Sequence, residues 1–178
     1  MSARPVPSGN VTIAAPADAR RQAAWLVAME PWRSLGYAQL TLGRWLGGEA
    51  ARGRVLLWRE SPRRAPSAVI VFQPDVLLGW FVSLLAVRPA ASGRGIGRAL
   101  LEHVARDCFR ARRWLYVSCD ESNQPARAFY RKLGFARVGR LPELIAPGRA
   151  ELLLRLGRDR SIGAPKRRAL DRERPGKR

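Results

Sequence analysis

Apolar residues recur at two spacings along the chain, and the two spacings alternate. Short apolar runs bounded by glycine, proline or polar residues are typical of strands, and they occupy residues 11–14, 54–60, 68–73, 80–87, 114–118, 135–138 and 151–156. Apolar residues three or four positions apart predict four helices, over 16–31, 37–46 and 124–133 and in the segment that follows the glycines at 93–97.

The order of these elements is one strand, two helices, three strands, a helix, a strand, a helix and two strands. It predicts an α/β fold, a single domain with a mixed, mostly antiparallel sheet of six to seven strands flanked by about four helices. The continuous apolar run at 80–87 is expected to be a buried central strand. The 178 residues divide into a flexible arm at 1–8, the folded domain at 9–156 and a basic, disordered tail at 157–178.

The segment after the central strand has the composition of a phosphate-binding turn. Ser92-Gly93-Arg94-Gly95-Ile96-Gly97 leads directly into a helix. The first turn of a helix offers unpaired N–H groups and the positive end of the helix dipole, and both favour an anion. Glycines lack a Cβ and permit a positive φ, so the backbone can touch a phosphate. Arg94 and Arg98 add positive charge beside this turn.

The spacing excludes two common nucleotide-binding motifs. The dinucleotide pattern G-x-G-x-x-G has Arg98 at its third glycine when counted from Gly93, and Leu100 when counted from Gly95. The P-loop pattern requires Gly-Lys followed by Ser or Thr, which the sequence does not contain. A tight turn without a ligand is the remaining alternative for these glycines.

Two separated motifs follow one another in this half of the chain. Ala86-Val87-Arg88-Pro89 precedes the glycine turn, and Asn123-x-x-Ala126-x-x-Phe129-Tyr130-x-x-x-Gly134-Phe135 follows it downstream. Over residues 69–156 the chain resembles the GNAT (GCN5-related) N-acetyltransferases, whose cofactor motif is Gln/Arg-x-x-Gly-x-Gly/Ala. The two motif glycines fall on Gly95 and Gly97, whereas Ser92 stands where Gln or Arg is usual. Ser92 removes one side chain from the phosphate loop but leaves its backbone amides.

The resemblance implies a transferase that moves an acetyl group from acetyl-CoA to a primary amine, by direct attack in a ternary complex and without a metal. In this family the central strand splays from its neighbour and the pantetheine arm enters the gap. Tyr130 matches the tyrosine that protonates the leaving thiolate, with core packing as its alternative role. The cofactor-binding residues that the resemblance implies are Leu85, Ala86, Val87, Ser92, Gly93, Arg94, Gly95, Ile96, Gly97, Arg98, Asn123, Ala126 and Phe129.

The motifs do not identify the residue that accepts the proton of the attacking amine. Many relatives have a glutamate five residues before the motif asparagine, and this chain has Ser118 there. Asp120 would share that face of the strand and Glu121 is adjacent, although a solvated loop explains either charge. Glu30 is a weaker candidate from the N-terminal helices. Because the family reaction forms no covalent enzyme intermediate, Cys119 is not expected to be a nucleophile.

The sequence leaves the acceptor open among a protein N-terminus or lysine, a polyamine, an aminoglycoside and a small metabolite. Residues 23–45 and a loop at 139–151 are expected to form its site, with Trp32 as a candidate lining residue. A homodimer is also left open.

The formal charge of the chain is +19, of which +6 lies in residues 157–178. Such a charge attracts polyanions, although it also serves solubility alone. The alternative function is therefore a catalytically weakened scaffold that binds nucleic acid or the ribosome, with weak nucleic-acid contact through the tail. An acyl-CoA sensor without turnover is a third.

No apolar run approaches the roughly 20 residues that span a bilayer, and the N-terminus lacks a signal-peptide pattern. Cys108 and Cys119 form no CxxC pair, and together with His103 they do not make a plausible zinc site. These features predict a cytoplasmic protein with reduced thiols and no membrane segment.

Overall fold

The computed structural model describes residues 9–159 and residue 162. The predicted arm at 1–8 and most of the predicted tail at 157–178 lie outside the described residues. Seven strands form one mixed sheet in the order β1-β2-β3-β4-β5-β7-β6. The strands are β1 Asn10–Ile13, β2 Val55–Arg59, β3 Ala68–Val76, β4 Gly79–Val87, β5 Trp114–Asp120, β6 Ala136–Pro142 and β7 Ala150–Gly157.

Four helices accompany the sheet, α1 Pro16–Leu26, α2 Gln39–Ala51, α3 Ile96–Ala111 and α4 Gln124–Lys132, and a short 3-10 turn occupies Pro89–Ala91. The predicted single α/β domain, its mostly antiparallel sheet and the number of its elements are confirmed. The one parallel pair within the described sheet joins β4 to β5.

The ends of the first two helices differ from the prediction. α1 stops at Leu26, and turns occupy residues 27–36, so no helix reaches Pro31. α2 continues through Gly47 and Gly48 to Ala51, although the sequence predicts an end at residue 46. A Cβ on Gly47 would lie 2.4 Å from Nε of Arg20 in α1. This glycine therefore lets the two helices approach closely, and it does not end the second.

The pairing of β3 with β4 is irregular close to its turn. Pro74 and Asp75 lie inside β3, where the pairing register with β4 shifts between Gln73 and Val76. The turn itself falls on Leu77 and Leu78, with φ of 50° and 59°. Residues 73–75 therefore belong to a bulge, and the chain reverses two residues later.

The helices cover both faces of the sheet. Leu26 of α1 and Leu46 of α2 are completely buried in one apolar cluster with residues of β2, β3 and β4. Leu100 and Leu101 of α3 are completely buried in a second cluster, which also contains Tyr130 of α4. Burying one leucine contributes about 1.5–3 kcal/mol, so these two layers hold the helices against the sheet.

The central parallel pair separates partway along its length. β4 pairs with β5 from Trp80 to Val82, and in the described chain the last paired residues are Val82 and Val117. At the same point a register shift opposite Val71 and Phe72 leaves Ser83 as an extra residue in β4. A bulge of this kind bends its strand, so residues 83–87 diverge from the end of β5. A cleft opens between them.

Candidate functional site

The cleft lies between the carboxyl ends of β4 and β5. One wall consists of residues 82–85, and the other is formed by the end of β5 and by α4. Its remaining boundary comes from the segment between α1 and α2 and from the start of β7. The lining residues outside β4 are Pro31, Trp32, Leu35, Tyr37, Ser118, Cys119, Asp120, Asn123, Ala126, Tyr130, Ile145, Arg149, Ala150 and Glu151.

The glycine turn connects the end of β4 to the start of α3. Gly93 and Gly95 have φ of 74° and 83°, a left-handed conformation that residues with a Cβ rarely adopt. Gly95 is the N-cap of α3, so the first N–H groups of the helix follow it directly. The predicted anion-binding geometry is therefore present: a strand, a left-handed turn and a helix N-terminus.

Gly97 serves a different purpose from the other two motif glycines. A Cβ at this position would lie 3.4 Å from Cζ of Phe129 and 3.5 Å from Cγ2 of Val87. The glycine therefore lets the first turn of α3 approach both β4 and α4. Phe129, which the sequence grouped with the cofactor-binding residues, packs against the base of the phosphate turn.

The polar side chains of the turn have partners within the protein. Arg94 Nη1 lies 2.9 Å from Oε1 of Glu60, and Arg98 Nε lies 2.7 Å from Oε1 of Glu102. The side chains of both arginines are at least 40% exposed, so these ion pairs contribute little and can rearrange around an anion. Ser92 Oγ donates to the Arg88 carbonyl at 3.4 Å. Backbone donors and two partly exposed arginines are therefore available to an anion at this turn.

Asn123 begins α4 at the edge of the cleft. Its Oδ1 accepts a hydrogen bond of 3.0 Å from the backbone N–H of Ala126, and Pro125 occupies the first turn. Asn123 is therefore the N-cap of α4. Because both Asn123 and Ala126 line the cleft, this cap fixes the helix end that faces any ligand there.

Tyr130 lies one turn further along α4, with only 7% of its surface exposed. Its ring makes edge contacts with Phe129 and Phe135, at centroid distances of 5.3 and 5.5 Å. Burial raises the pKa of the phenol well above its ordinary value, and the neighbouring Cys119 and Glu151 raise it further. The hydroxyl therefore stays protonated at neutral pH and can act as a proton donor in the cleft.

The three carboxylates that the sequence proposed as bases are all held by hydrogen bonds. The Ser122 hydroxyl donates to Asp120, whose pKa lies below its ordinary value because of this bond and its pairing with Arg149. Arg140 lowers the pKa of Glu121, and Ser34 with Arg33 lowers that of Glu30. Asp120 lines the cleft on the same face as Ser118, as predicted, whereas neither Glu121 nor Glu30 is among the lining residues.

Glu151 is a cleft residue for which the sequence predicts a strand, over 151–156, and no function. It lines the cleft, it is only 8% exposed, and it lies opposite Asp120 in the pairing of β5 with β7. Burial raises the pKa of its carboxyl above the ordinary value, and a hydrogen bond from Ser118 partly offsets this effect. The available signal was a single carboxylate near the start of a strand in which Arg155 is the only other charged residue.

Both cysteines are buried and free. Burial raises the pKa of each thiol to about 11, and for Cys119 the nearby Glu151 raises it further. A thiol with such a pKa is not a thiolate at neutral pH, which disfavours a nucleophilic role for Cys119. Across residues 9–159 no group of three or more His, Cys, Asp or Glu is placed to hold a metal ion, and no helix is suited to crossing a membrane.

The side of the cleft formed by the segment between α1 and α2 and by the loop before β7 is largely apolar. Trp32 lines it as the sequence suggested, together with Tyr37 and Ile145. The loop between β6 and β7 is shorter than predicted and spans residues 143–149, because β6 extends to Pro142. Arg149 Nη1 donates to Ser34 Oγ at 3.4 Å, and this contact joins the loop to the segment between α1 and α2.

Comparison with known proteins agrees with this geometry. The sequence model of the Acetyltransferase (GNAT) family matches residues 19–135, more than half of the chain. Ard1 from Thermoplasma volcanium is similar with a TM-score of 0.70 and 18% identity, over 84% of this chain and 97% of that one.

Two further structures have the same fold. For yncA from Salmonella typhimurium, whose structure holds acetyl-CoA, the TM-score is 0.64 at 18% identity, over 89% of this chain and 98% of that one. For the ribosomal-protein-S18-alanine N-acetyltransferase from Escherichia coli, the TM-score is 0.60 at 19% identity, over 92% of this chain and 99% of that one. Because the family model spans most of the helices and strands around the cleft, the chain belongs to the GNAT family of acetyltransferases.

Proposed function

We propose that the protein transfers the acetyl group of acetyl-CoA to a primary amine, by direct attack while both substrates are bound. The observation that carries the proposal is the divergence of β4 from β5 after Val82, with the glycine turn at one end of the gap and Tyr130 inside it. The Salmonella relative, whose structure contains acetyl-CoA, supports the choice of acyl donor.

The glycine turn would hold the pyrophosphate of acetyl-CoA. The first N–H groups of α3, at Ile96, Gly97 and Arg98, supply donors at the positive end of the helix dipole. Arg94 and Arg98 exchange their surface carboxylate partners for the phosphates. Ser92 and Gly93 complete the turn.

The pantetheine arm would lie along the diverging part of β4. The backbone of Leu85, Ala86 and Val87 pairs with β3 on one side, so its groups on the other side can bind an extended chain of amides. Asn123, Ala126 and Phe129 would contact the arm from α4.

Tyr130 would donate the proton that the departing thiolate requires. The phenol carries its proton at neutral pH, and its packing between two phenylalanines fixes the ring. A positioned acid of this kind contributes about 10²- to 10⁴-fold to a rate.

The acceptor would place its amine beside Tyr130 and an apolar group against Trp32, Tyr37 and Ile145. The Escherichia coli relative acts, by its name, on an alanine of a ribosomal protein, which supports a protein N-terminus among the candidates. Short peptides with an apolar first side chain are therefore the first acceptors to test.

The experiment measures CoA release by the full chain with acetyl-CoA and a panel of amines: peptides with apolar or acidic first residues, lysine peptides, polyamines and aminoglycosides. Mass spectrometry then locates the acetyl group on the product. We expect acetylation of the amine in at least one peptide with an apolar first residue. A protein that binds acetyl-CoA and acetylates no amine in the panel would contradict the proposal.

The charge of +19 supports a second function, binding of nucleic acid by the same chain. The sequence of residues 160–178 alone contains eight Lys or Arg and two Asp or Glu. Neutralising several phosphates makes affinity fall steeply with salt. We expect RNA binding that weakens from 50 to 200 mM salt, on the order of 10²-fold, and that deletion of 160–178 reduces. Binding that is insensitive to salt would contradict this second function.

A further inference from the structure

The carboxylate of Glu151 is buried, and none of the described ion pairs includes it. The other cleft carboxylate, Asp120, is bound by Arg149 at 2.7 Å and by the backbone N–H of Ser122 at 2.7 Å. Glu151 instead accepts a hydrogen bond from the Ser118 hydroxyl across the pairing of β5 with β7. A carboxylate removed from water without a cation bound to it is costly unless it serves a function.

We propose that Glu151 accepts the proton from the attacking amine. This inference rests on the proposed acetyl transfer and assigns the base for it. Glu151 and Tyr130 both line the cleft, and the Glu151 carboxylate is close enough to raise the pKa of the Tyr130 phenol. One group is then positioned to take a proton and the other to give one.

The proton balance is as follows. The lone pair of the neutral amine forms the new N–C bond at the thioester carbonyl, and the nitrogen loses a proton to the Glu151 carboxylate. The C–S bond breaks, and the electron pair leaves on sulfur, which takes the proton of the Tyr130 hydroxyl. Exchange with water then returns the proton on Glu151 to the Tyr130 phenolate, so both residues are restored.

The surroundings of Glu151 favour proton uptake over permanent ionisation. The charged groups near it are Asp120 and Arg149, which are paired with each other, and the thiol of Cys119 is protonated. Burial is the largest cause of the raised pKa of its carboxyl. A base whose pKa moves towards neutrality takes a proton from an amine more readily than an exposed glutamate does.

Ser118 positions this carboxylate. Ser118 occupies the position on β5 at which many relatives have a glutamate. Its hydroxyl is hydrogen-bonded to Glu151. The hydroxyl itself does not accept the proton. A carboxylate from the neighbouring strand thus reaches the same part of the cleft.

The test compares the wild type with Glu151→Gln in the acetylation assay, using a peptide acceptor that the wild type uses, across pH 5.5–10. We expect kcat/KM of the variant to be lower by about 10²- to 10³-fold at neutral pH, with the affinity for acetyl-CoA unchanged. The wild type should keep its activity down to the pH at which Glu151 takes up a proton, whereas the activity of the variant should follow only the ionisation of the amine. The variant should recover at high pH, where solvent deprotonates the amine.

Two further variants guard against a merely structural effect. Asp107→Asn changes an exposed carboxylate of α3 and should leave the whole profile unchanged. Glu151→Gln should be at least as stable as the wild type at pH 8, because burial disfavours the ionised glutamate that it replaces. If Glu151→Gln lowered the free energy of unfolding as well as the activity, Glu151 would have a structural role and the inference would be overturned.

The outcomes separate the inference from the proposed function. If the wild type is active and Glu151→Gln has the same pH profile, the role of Glu151 alone is overturned. The same holds if only Asp120→Asn changes the profile. A wild type that binds acetyl-CoA and acetylates no amine overturns both. The ¹³C shift of the Glu151 carboxyl should also titrate above the ordinary glutamate pKa of 4.5 in the free protein. A lower value would overturn the inference without any turnover.

Discussion

The guanidinium of Arg149 binds the carboxylate of Asp120, with Nε 2.7 Å from Oδ2, and so ties the loop before β7 to the end of β5. The Asp120 carboxylate is almost fully buried, whereas about a third of the Arg149 side chain is exposed. The other oxygen, Oδ1, accepts a hydrogen bond of 2.7 Å from the backbone N–H of Ser122. One carboxylate therefore holds both the loop before β7 and the turn that leads into α4.

Asp120→Asn should lower the free energy of unfolding by about 1–2 kcal/mol at pH 7, because a buried charge-assisted hydrogen-bond network is lost. The pKa of Asp120 is lowered in the folded protein, so its contribution is present above the ordinary value of 3.8 and is lost as the pH falls through the lower, folded value. Urea unfolding at pH 7 and pH 3 measures both effects.

The difference between the variant and the wild type should therefore shrink at pH 3. Asp107→Asn, at a carboxylate that is 41% exposed, is the matched control and should change stability little. A penalty for Asp120→Asn that stayed the same size at both pH values would show that ionisation is not its cause.

Gly95→Glu should weaken acetyl-CoA binding by at least about 10²-fold, because it places a negative side chain at the proposed pyrophosphate site. It should also cost roughly 1–2 kcal/mol of stability, since φ at this position is 83°. Calorimetric titration with acetyl-CoA and thermal unfolding measure the two effects separately.

Gly53→Glu is the matched control for this variant. Gly53 has φ of 71°, and like Gly95 it has no atom within 4 Å of an added Cβ. It lies at the start of β2, at the opposite end of the sheet from the glycine turn. We expect Gly53→Glu to lose as much stability as Gly95→Glu and to bind acetyl-CoA like the wild type. If Gly53→Glu weakened acetyl-CoA binding as much as Gly95→Glu does, Gly95 would have no specific role at a phosphate site.

Tyr130→Phe should lower kcat by about 10²-fold or more and leave the affinity for acetyl-CoA nearly unchanged. Phenylalanine keeps the ring contacts with Phe129 and Phe135 and removes only the hydroxyl. Steady-state rates with a peptide acceptor, beside calorimetry with acetyl-CoA, give both quantities. Full activity in this variant would show that Tyr130 only packs in the core.

Asn123→Ala should cost about 1 kcal/mol of stability, because the hydrogen bond that caps α4 is lost. Asn123→Ser restores an N-cap oxygen and should recover most of that loss. If Asn123 also contacts the pantetheine arm, acetyl-CoA should bind more weakly to both variants. Recovery of affinity in the serine variant would restrict Asn123 to its capping role. Chemical denaturation and calorimetry are the measurements.

The sequence predicted the glycine turn and the start of α4 because their signals are local. Gly95 needs a left-handed φ and Asn123 needs a nearby N–H, and both requirements are visible within six residues of sequence. The extension of α2 through Gly47 was missed because the reason for that glycine is Arg20 in another helix.

Glu151 was missed for the same physical reason. Its place in the cleft depends on the pairing of β5 with β7, which joins Asp120 to a residue 31 positions later. Spacing along the chain carries no information on that register. Buried base candidates that come from neighbouring strands are therefore the part of such a site that a single sequence conceals.

The early end of the pairing between β4 and β5 has a consequence for solubility. Beyond Ser83 the inner edge of β4 presents backbone groups in the middle of a sheet, and an extended segment of another molecule can add there as a strand. A tightly held acyl donor would compete for the same edge. If acetyl-CoA binds along this edge as proposed, its supply during expression and storage should limit self-association.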